Sequence, residues 1–244
     1  MKNFLILCAI IFFVNITKIF SQQAPSQYLN EGIAANEARA YEDAVNYLTL
    51  YLKSDPQNAV GRYNRAVAYY YLRDFNDAQK DASAAIENSP DYKEAYDIRG
   101  LINTALNLLP DAISDFTSAI NIDPEYSEAL LNRALVYKQE NDYSMAISDL
   151  NSALSINPAL LDAYFIRGQV LASMGNYSDA IKDLTTYISN VSDKAAAYSA
   201  RGLAYYQTGN YSGSVNDLEK AISLDPGIEK DFATVLNDAR SKMK

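Results

Sequence analysis

The sequence predicts an all-α protein, an α-α superhelix of six helix-turn-helix repeats closed by a C-terminal helix, and three observations carry that prediction. Prolines stand at Pro56, Pro90, Pro124, Pro158 and Pro226, with Ser192 where another would fall, on a spacing of 34 residues. Small residues keep the same register: Gly32, Ala66, Gly100, Ala134, Gly168 and Gly202 lie 24 positions before those sites, and Ala44, Ala78, Ala112, Ala146, Ala180 and Ser214 lie 12 before. Apolar residues between them follow helical spacing, as in Tyr164, Gly168 and Leu171 and then Tyr177, Ala180, Ile181, Leu184 and Ile188, with Gly175 and Asn176 as the break.

Residues 1–21 read as a secretory signal peptide: Lys2, an apolar run over residues 4–14, then a more polar stretch with cleavage near Ser21. The run is short for a spanning helix, and Asn15, Thr17 and Lys18 interrupt its continuation. Membrane contact is therefore expected only through an uncleaved signal segment, and the mature protein is expected to be exported, periplasmic or secreted. The only cysteine, Cys8, falls inside the apolar run, so the mature chain would carry no disulfide.

Composition narrows the chemistry. Histidine and tryptophan are absent, which removes imidazole bases and, with the cysteine gone, the usual zinc ligands and thiol nucleophiles. The net charge is −9, and loss of Lys2 and Lys18 with the signal segment leaves 19 basic against 30 acidic groups. An acidic chain without a basic run is a poor partner for nucleic acid. No phosphate loop, nucleophile-base pair or metal cluster is visible, so no enzyme activity, cofactor or metal is expected.

The six repeats run over 25–58, 59–92, 93–126, 127–160, 161–194 and 195–228. Each is expected to form a helix, a tight turn and a second helix. Glu94, Glu128 and Asp162 open first helices, and Asp77, Asp111 and Asp179 lie in the first turn of second helices, where the helix dipole favours negative charge. Pro110 suits the first position of a second helix, because its missing N–H would have no partner there. The small residues let the paired helices approach closely, and the proline after the second helix ends it. Residues 229–244 carry Phe232, Val235, Leu236, Ala239 and Met243 at helical spacing, with basic residues toward the end, and read as a capping helix over the last repeat.

These residues resemble the tetratricopeptide repeat (TPR) family. Its motif is similar in having Gly or Ala at the eighth place, an aromatic at the eleventh (here Tyr69, Tyr137 and Tyr205), Ala at the twentieth and Phe116 or Leu at the twenty-fourth. The likeness continues with Ala85, Ala119, Ala153 and Ala221 at the twenty-seventh place and Pro five places later, so that the superhelix would be a TPR solenoid. The departures are local. Tyr51 and Tyr187 replace the small twenty-seventh residue and need room, which Gly61 and the run Ala195, Ala196, Ala197 are placed to supply.

An arginine and an aspartate recur 16 residues apart: Arg65 and Asp81, Arg99 and Asp115, Arg133 and Asp149, Arg167 and Asp183, Arg201 and Asp217. One copy in each of five successive repeats argues for a structural ion pair rather than a catalytic one. Pairing between repeats would strand Arg65 and Asp217, whereas pairing within repeats leaves nothing over, so pairing within the repeat is expected.

The resemblance implies a non-enzymatic scaffold whose first helices line a concave groove for a protein or peptide partner. Its candidate contact residues are Tyr63, Asn64, Val67, Tyr70 and Tyr71 in the second repeat, Asp97, Leu101 and Thr104 in the third, Leu131, Asn132, Leu135, Lys138 and Gln139 in the fourth, Phe165 and Gln169 in the fifth, and Tyr206 and Gln207 in the sixth. Leu29, Tyr63 and Leu131 stand where chaperone-binding members need Lys for their carboxylate clamp, so the clamp is absent. The alternative is a glycan-binding or envelope-assembly module using the same aromatic groove. Three Asn-x-Ser sequons, at Asn176, Asn190 and Asn210, are glycan acceptors in a eukaryotic secretory route, and two of them coincide with turns.

Overall fold

The computed structural model describes residues 25–243; the signal-peptide expectation for residues 1–21 lies outside the described residues. Thirteen α-helices and no strand occur among the described residues, in successive antiparallel-type pairs. The chain divides into two modules at the Leu108–Leu109 junction. The N-terminal module holds α1 (Pro25–Glu37), α2 (Tyr41–Leu52), α3 (Ala59–Tyr71), α4 (Phe75–Asn88) and α5 (Lys93–Ala105). The C-terminal module holds α6 (Leu109–Ile122), α7 (Ser127–Gln139), α8 (Tyr143–Ile156), α9 (Leu161–Ser173), α10 (Tyr177–Asn190), α11 (Ala195–Gln207), α12 (Tyr211–Leu224), a short 3-10 turn (Pro226–Ile228) and α13 (Glu229–Lys242). The third repeat is thereby shared, with α5 in one module and α6 in the other. Pro110 is the second residue of α6.

All six turns inside the helix pairs use one backbone device. Arg39, Arg73, Asn107, Asn141, Gly175 and Gly209, 34 residues apart, have positive φ, near 60° for the four non-glycines and near 80° for the glycines. Each follows a first helix and lets the next amide reach back five residues: Ala40 N–H donates to the Ala35 carbonyl at 2.8 Å, Asp74 to Tyr69 at 2.9 Å, Asn176 to Leu171 at 2.9 Å. This left-handed residue with its paired backward bonds satisfies carbonyls that the helix end leaves open. Three of the second helices then start on side-chain caps, with Asp74 accepting from Asp77 N–H, Asp142 from Met145 and Asn210 from Gly213, while Ala40 and Asn176 make no such bond.

Within each module a first helix packs on its own partner, and each second helix packs on the next first helix. The eighth-place residues sit at the tightest crossing: a Cβ on Gly168 would stand 2.8 Å from the Leu184 Cγ. Fully buried Ala66, Ala78 and Ile102 centre one core in the N-terminal module, and Ala134, Ala146, Leu150 and Val170 centre one in the C-terminal module. The Tyr51 ring lies against the Gly61 backbone, with 2.9 Å between its ring carbons and a Cβ placed there. Tyr187 is buried against Ala197 at the same register in the fifth and sixth repeats. The helix α13 buries Leu236 and Ala239 on Val215 and Leu218 of α12, so it covers the apolar face of the last pair.

Candidate functional site

The recurrent arginines and aspartates form a frame that leaves the first-helix faces free for other use. Arg133 donates from Nε and Nη2 to the two carboxylate oxygens of Asp149, both at 2.8 Å. Arg167 does the same to Asp183 at 2.7 and 2.8 Å, and Arg201 to Asp217 at 2.7 and 2.9 Å. Arg65 holds Asp81 at 2.6 and 2.9 Å, and there Arg62 adds a third bond at 2.8 Å. Arg99 belongs to the N-terminal module and Asp115 to the C-terminal one. The aspartates are buried and hydrogen-bonded, and that hydrogen bond raises the guanidinium pKa of Arg133, Arg167 and Arg201 against the opposing effect of burial.

The choice between pairing within and between repeats proves too narrow. The remaining Nη1 of each arginine reaches the preceding repeat's second helix: Arg65 to Thr49 at 3.0 Å, Arg99 to Ser83 at 3.3 Å, Arg133 to Thr117 at 2.8 Å, Arg167 to Asn151 at 2.8 Å and Arg201 to Thr185 at 3.1 Å. Arg65, Arg133, Arg167 and Arg201 therefore each clamp three helices, ionically within the repeat and through a neutral acceptor behind it. The acceptor's own 34-residue recurrence, at the twenty-fifth place, is the sequence signal that identifies it. In the sixth repeat that place is Glu219, and it accepts from Arg240 of α13 at 2.7 Å.

In the N-terminal module the candidate aromatics pack mainly on one another. Tyr71, 56% exposed, stacks on Tyr41 with ring centroids 4.6 Å apart, and Tyr70 meets both Tyr71 and Phe75 edge-on or tilted. Tyr63 is half-buried against Tyr92, and burial, then the Asp97 and Glu94 carboxylates, push its hydroxyl up to about 12. Val67 and Leu101 pack against the core, Thr104 caps the Gly100 carbonyl, and the Asn64 amide donates to the Val60 carbonyl. Asp97 is half-buried.

The C-terminal module departs from expectation at Phe165, which is buried rather than open to a partner. Its ring stacks on Tyr187 at 4.9 Å, and the Lys194 ammonium lies over its face. The cause is the bulky residue at the twenty-seventh place: Tyr187 supplies a large flat neighbour, and the Phe165 ring turns inward onto it. Leu131 is half-buried on the core, Asn132 is half-buried, and Leu135 and Gln139 are exposed. Tyr206 donates its hydroxyl to Asp238 of α13, and Lys242 lies over its ring at 5.1 Å, so the capping helix already occupies that residue.

A cavity of about 450 Å³ stays open on this module along α7, α9 and α11, with Tyr177 of α10 beside it. Its rim is Lys138, Gln169, Ser173, Tyr177, Leu203 and Gln207, and Ala172, Ala200 and Ala204 make its floor. The three small floor residues are what hollow it, since longer side chains there would fill the space between the helices. The Lys138 ammonium donates to the Gln169 amide oxygen at 2.5 Å, and burial lowers its pKa. Lys138, Gln169 and Gln207 were legible as groove residues from the repeat register; Ala172, Ser173, Ala200 and Leu203 stand at the same places of their repeats as Lys138, Gln139, Asn132 and Leu135 and were passed over, and only Ala204 lies off that register. Among the described residues no group of three or more Cys, His, Asp or Glu is placed to hold a metal ion.

Comparisons with known proteins agree with this architecture. Three family models, each described as tetratricopeptide repeat, match residues 63–127, then 127–160 and 161–189, then 195–228. RNA polymerase II-associated protein 3 of Xenopus laevis is 38% identical over 69 residues, which are 28% of this chain and 10% of that protein. The chain thus spans about a tenth of the length of that curated relative. Among solved structures, PilW, described as a widely conserved type IV pilus biogenesis factor, superposes with a TM-score of 0.76 at 22% identity, over 88% of this chain and all of that one. YrrB, described as a TPR protein with an unusual peptide-binding site, superposes at 0.62 and 20% identity, over 73% and 92% of the two chains. At such identities the two structures speak to the fold.

Proposed function

The chain belongs to the tetratricopeptide repeat family, and we propose that it is an exported, non-enzymatic scaffold that holds a protein or peptide partner along the faces of its first helices. Repeats of this family generally bind protein or peptide partners, and YrrB, which shares the fold, is described by its peptide-binding site. The observation that carries the reading is the open cavity across α7, α9 and α11, bounded by helix faces that the Arg–Asp frame keeps free. A binding site of this form needs a preformed hollow with a few convergent polar groups, and the cavity has both. Export rests on the apolar run of residues 4–14 and the polar stretch to Ser21.

The glycan reading loses ground on the same geometry. Sugar stacking needs free ring faces, and the Tyr71 face is already covered by Tyr41 while Tyr63 leans on Tyr92.

Affinity capture from extracytoplasmic extract tests the scaffold reading, with the mature chain beside a Leu135→Ala/Leu203→Ala variant and a Tyr63→Ala/Tyr70→Ala/Tyr71→Ala variant. The expected result is a discrete set of proteins on the mature chain that the first variant loses; identical recovery on all three would remove the first-helix faces from the mechanism. The mass of the chain recovered from its native host tests export: cleavage near Ser21 gives a product beginning at or beside Gln22, and a full-length cytoplasmic product contradicts it.

A further inference from the structure

The cavity in the C-terminal module has a charge property that specifies its occupant. In a chain with 30 acidic and 21 basic side chains, the cavity wall contains one cation, Lys138, and no aspartate or glutamate. The hydrogen-bond acceptor of that cation is a neutral amide oxygen, Gln169 Oε1, at 2.5 Å. Exposed ammonium groups elsewhere are matched differently: Lys80 sits on Asp77, Lys182 on Asp179 and Lys242 on Asp238, each at 2.7 or 2.8 Å. Lys138 is half-buried with its charge uncompensated, and burial alone lowers its pKa. A half-buried cation without a counter-charge is a standing electrostatic cost that a bound anion relieves.

The rest of the cavity says what kind of anion. Leu203, 38% exposed, and the alanines Ala172, Ala200 and Ala204 form an apolar wall beside the ammonium. Most of the wall is made of helix faces, α7, α9 and α11, whose backbone amides are spent inside the helices, and Tyr177 at the start of α10 completes it. Capture of a chain terminus uses clustered free backbone amides or several cations, and this wall offers one cation and a single helix start at Tyr177. A single ammonium is a point charge and suits one side-chain carboxylate. In an extended peptide, side chains two residues apart point to the same side, so a carboxylate and an apolar group in that spacing enter one groove together.

We propose that this cavity binds an extended segment of a partner protein carrying an Asp or Glu two residues from a large apolar residue, with the carboxylate on Lys138 and the apolar side chain on Leu203 and the alanine floor. The inference rests on the scaffold reading above and deepens it by naming the chemistry of the partner. Phosphorylated or free-terminal peptides are not the ligand in this assignment.

Selection from two displayed random-peptide libraries on the full mature chain, one with blocked C-termini and one with free C-termini, tests it beside Lys138→Gln and Leu203→Ser. The wild-type chain is expected to enrich an acidic residue two positions from Leu, Ile, Met or Phe in the blocked library. Lys138→Gln should erase the acidic preference and lower affinity for a selected peptide about tenfold, as loss of a charge-assisted bond implies, while its Glu→Gln counterpart binds both proteins alike. Leu203→Ser should weaken the apolar preference and spare the acidic one. An unchanged thermal midpoint shows that Lys138→Gln folds. Enriched peptides without an acidic residue, an acidic preference that survives Lys138→Gln, or enrichment confined to free C-termini overturns this assignment and leaves the scaffold reading standing. Native partners captured while no peptide emerges from either library overturns it too, and failure of both captures removes the scaffold reading itself.

Discussion

The two modules solve the same structural problem with different residues, and the difference separates what the repeat demands from what it tolerates. In the N-terminal module the left-handed turn residues are Arg39, Arg73 and Asn107; in the C-terminal module they are Asn141, Gly175 and Gly209. The backbone is the same in all six, so packing of the paired helices imposes it and the side chain accepts the cost. The aromatic faces diverge likewise: Tyr41, Tyr70, Tyr71 and Phe75 cover one another in the first module, whereas the second leaves a hollow beside Lys138. A conspicuous cluster of rings is thus a weaker sign of a binding face than an unfilled space with an unmatched charge.

The largest contrast to test is at the ion pairs. Asp81 neutralises two guanidiniums, Arg62 and Arg65, where Asp149 neutralises one. Removing one partner of a buried pair costs about 3 to 5 kcal/mol, so Asp149→Ala is expected in that range and Asp81→Ala at or above its upper end, read from denaturant melts. Equal losses would show that Arg62 is solvated and contributes nothing.

Alkaline pH comes next, and at the fifth place of the repeat it acts on the N-terminal module, because Leu131 stands in the C-terminal one where Tyr63 stands here. The Tyr63 pKa is raised from 10.0 to about 12, so the fold favours the neutral phenol. That contribution is full below pH 10.0 and is lost as pH rises through about 12. Its size is on the order of 2 kcal/mol, and Tyr63→Phe should flatten the fall of stability over this window. A slope unchanged in the Phe variant would exclude Tyr63 as its source.

Smaller is the exchange at the third place of the repeat. Gly61→Ala drives a Cβ to 2.9 Å from the Tyr51 ring and should cost about 1 to 3 kcal/mol through overpacking. Ala197, which already faces Tyr187, shows that the C-terminal module has made room. If Gly61→Ala melts like the parent, Tyr51 has space to move and the close fit is not a constraint.

The turns carry the smallest effects and the cleanest sign. Arg39→Gly, which relieves a φ of 61°, should stabilise by about 1 kcal/mol, and Gly175→Ala, at a φ of 81° with no atom within 4 Å of the new Cβ, should destabilise by about as much. Thermal midpoints moving the same way in both would refute the turn argument.

The helix pairs were legible because 34-residue spacing of Pro, Gly and Ala states where helices stop and where they touch. The frame was half legible. Arg133 and Asp149 announce each other by charge, but Thr117, the neutral partner of the same guanidinium, carries no such mark until the repeats are aligned. The candidate site was legible by register at Lys138 and Gln169 and misleading at Phe165. Register assigns a direction to each first-helix residue on the assumption of a standard neighbour, and Tyr187 is not standard. The hollow itself could not be read in advance, since it is a property of what Ala172, Ala200 and Ala204 fail to fill together.

The three-way clamp of each arginine has a consequence for how such a chain changes length. Each segment from the second to the fifth brings one guanidinium, one carboxylate and one neutral acceptor, and hands that acceptor to the segment after it, whereas the first supplies only the acceptor Thr49 and the sixth carries Glu219 in the acceptor's place. At the far end Arg240 takes the last such place on Glu219. Duplication or deletion of a whole segment among these four therefore keeps donors and acceptors in balance, while a cut of any other length strands a buried charge. The clamp is a ratchet on evolution's step size: the array can grow or shrink, but only by entire repeats.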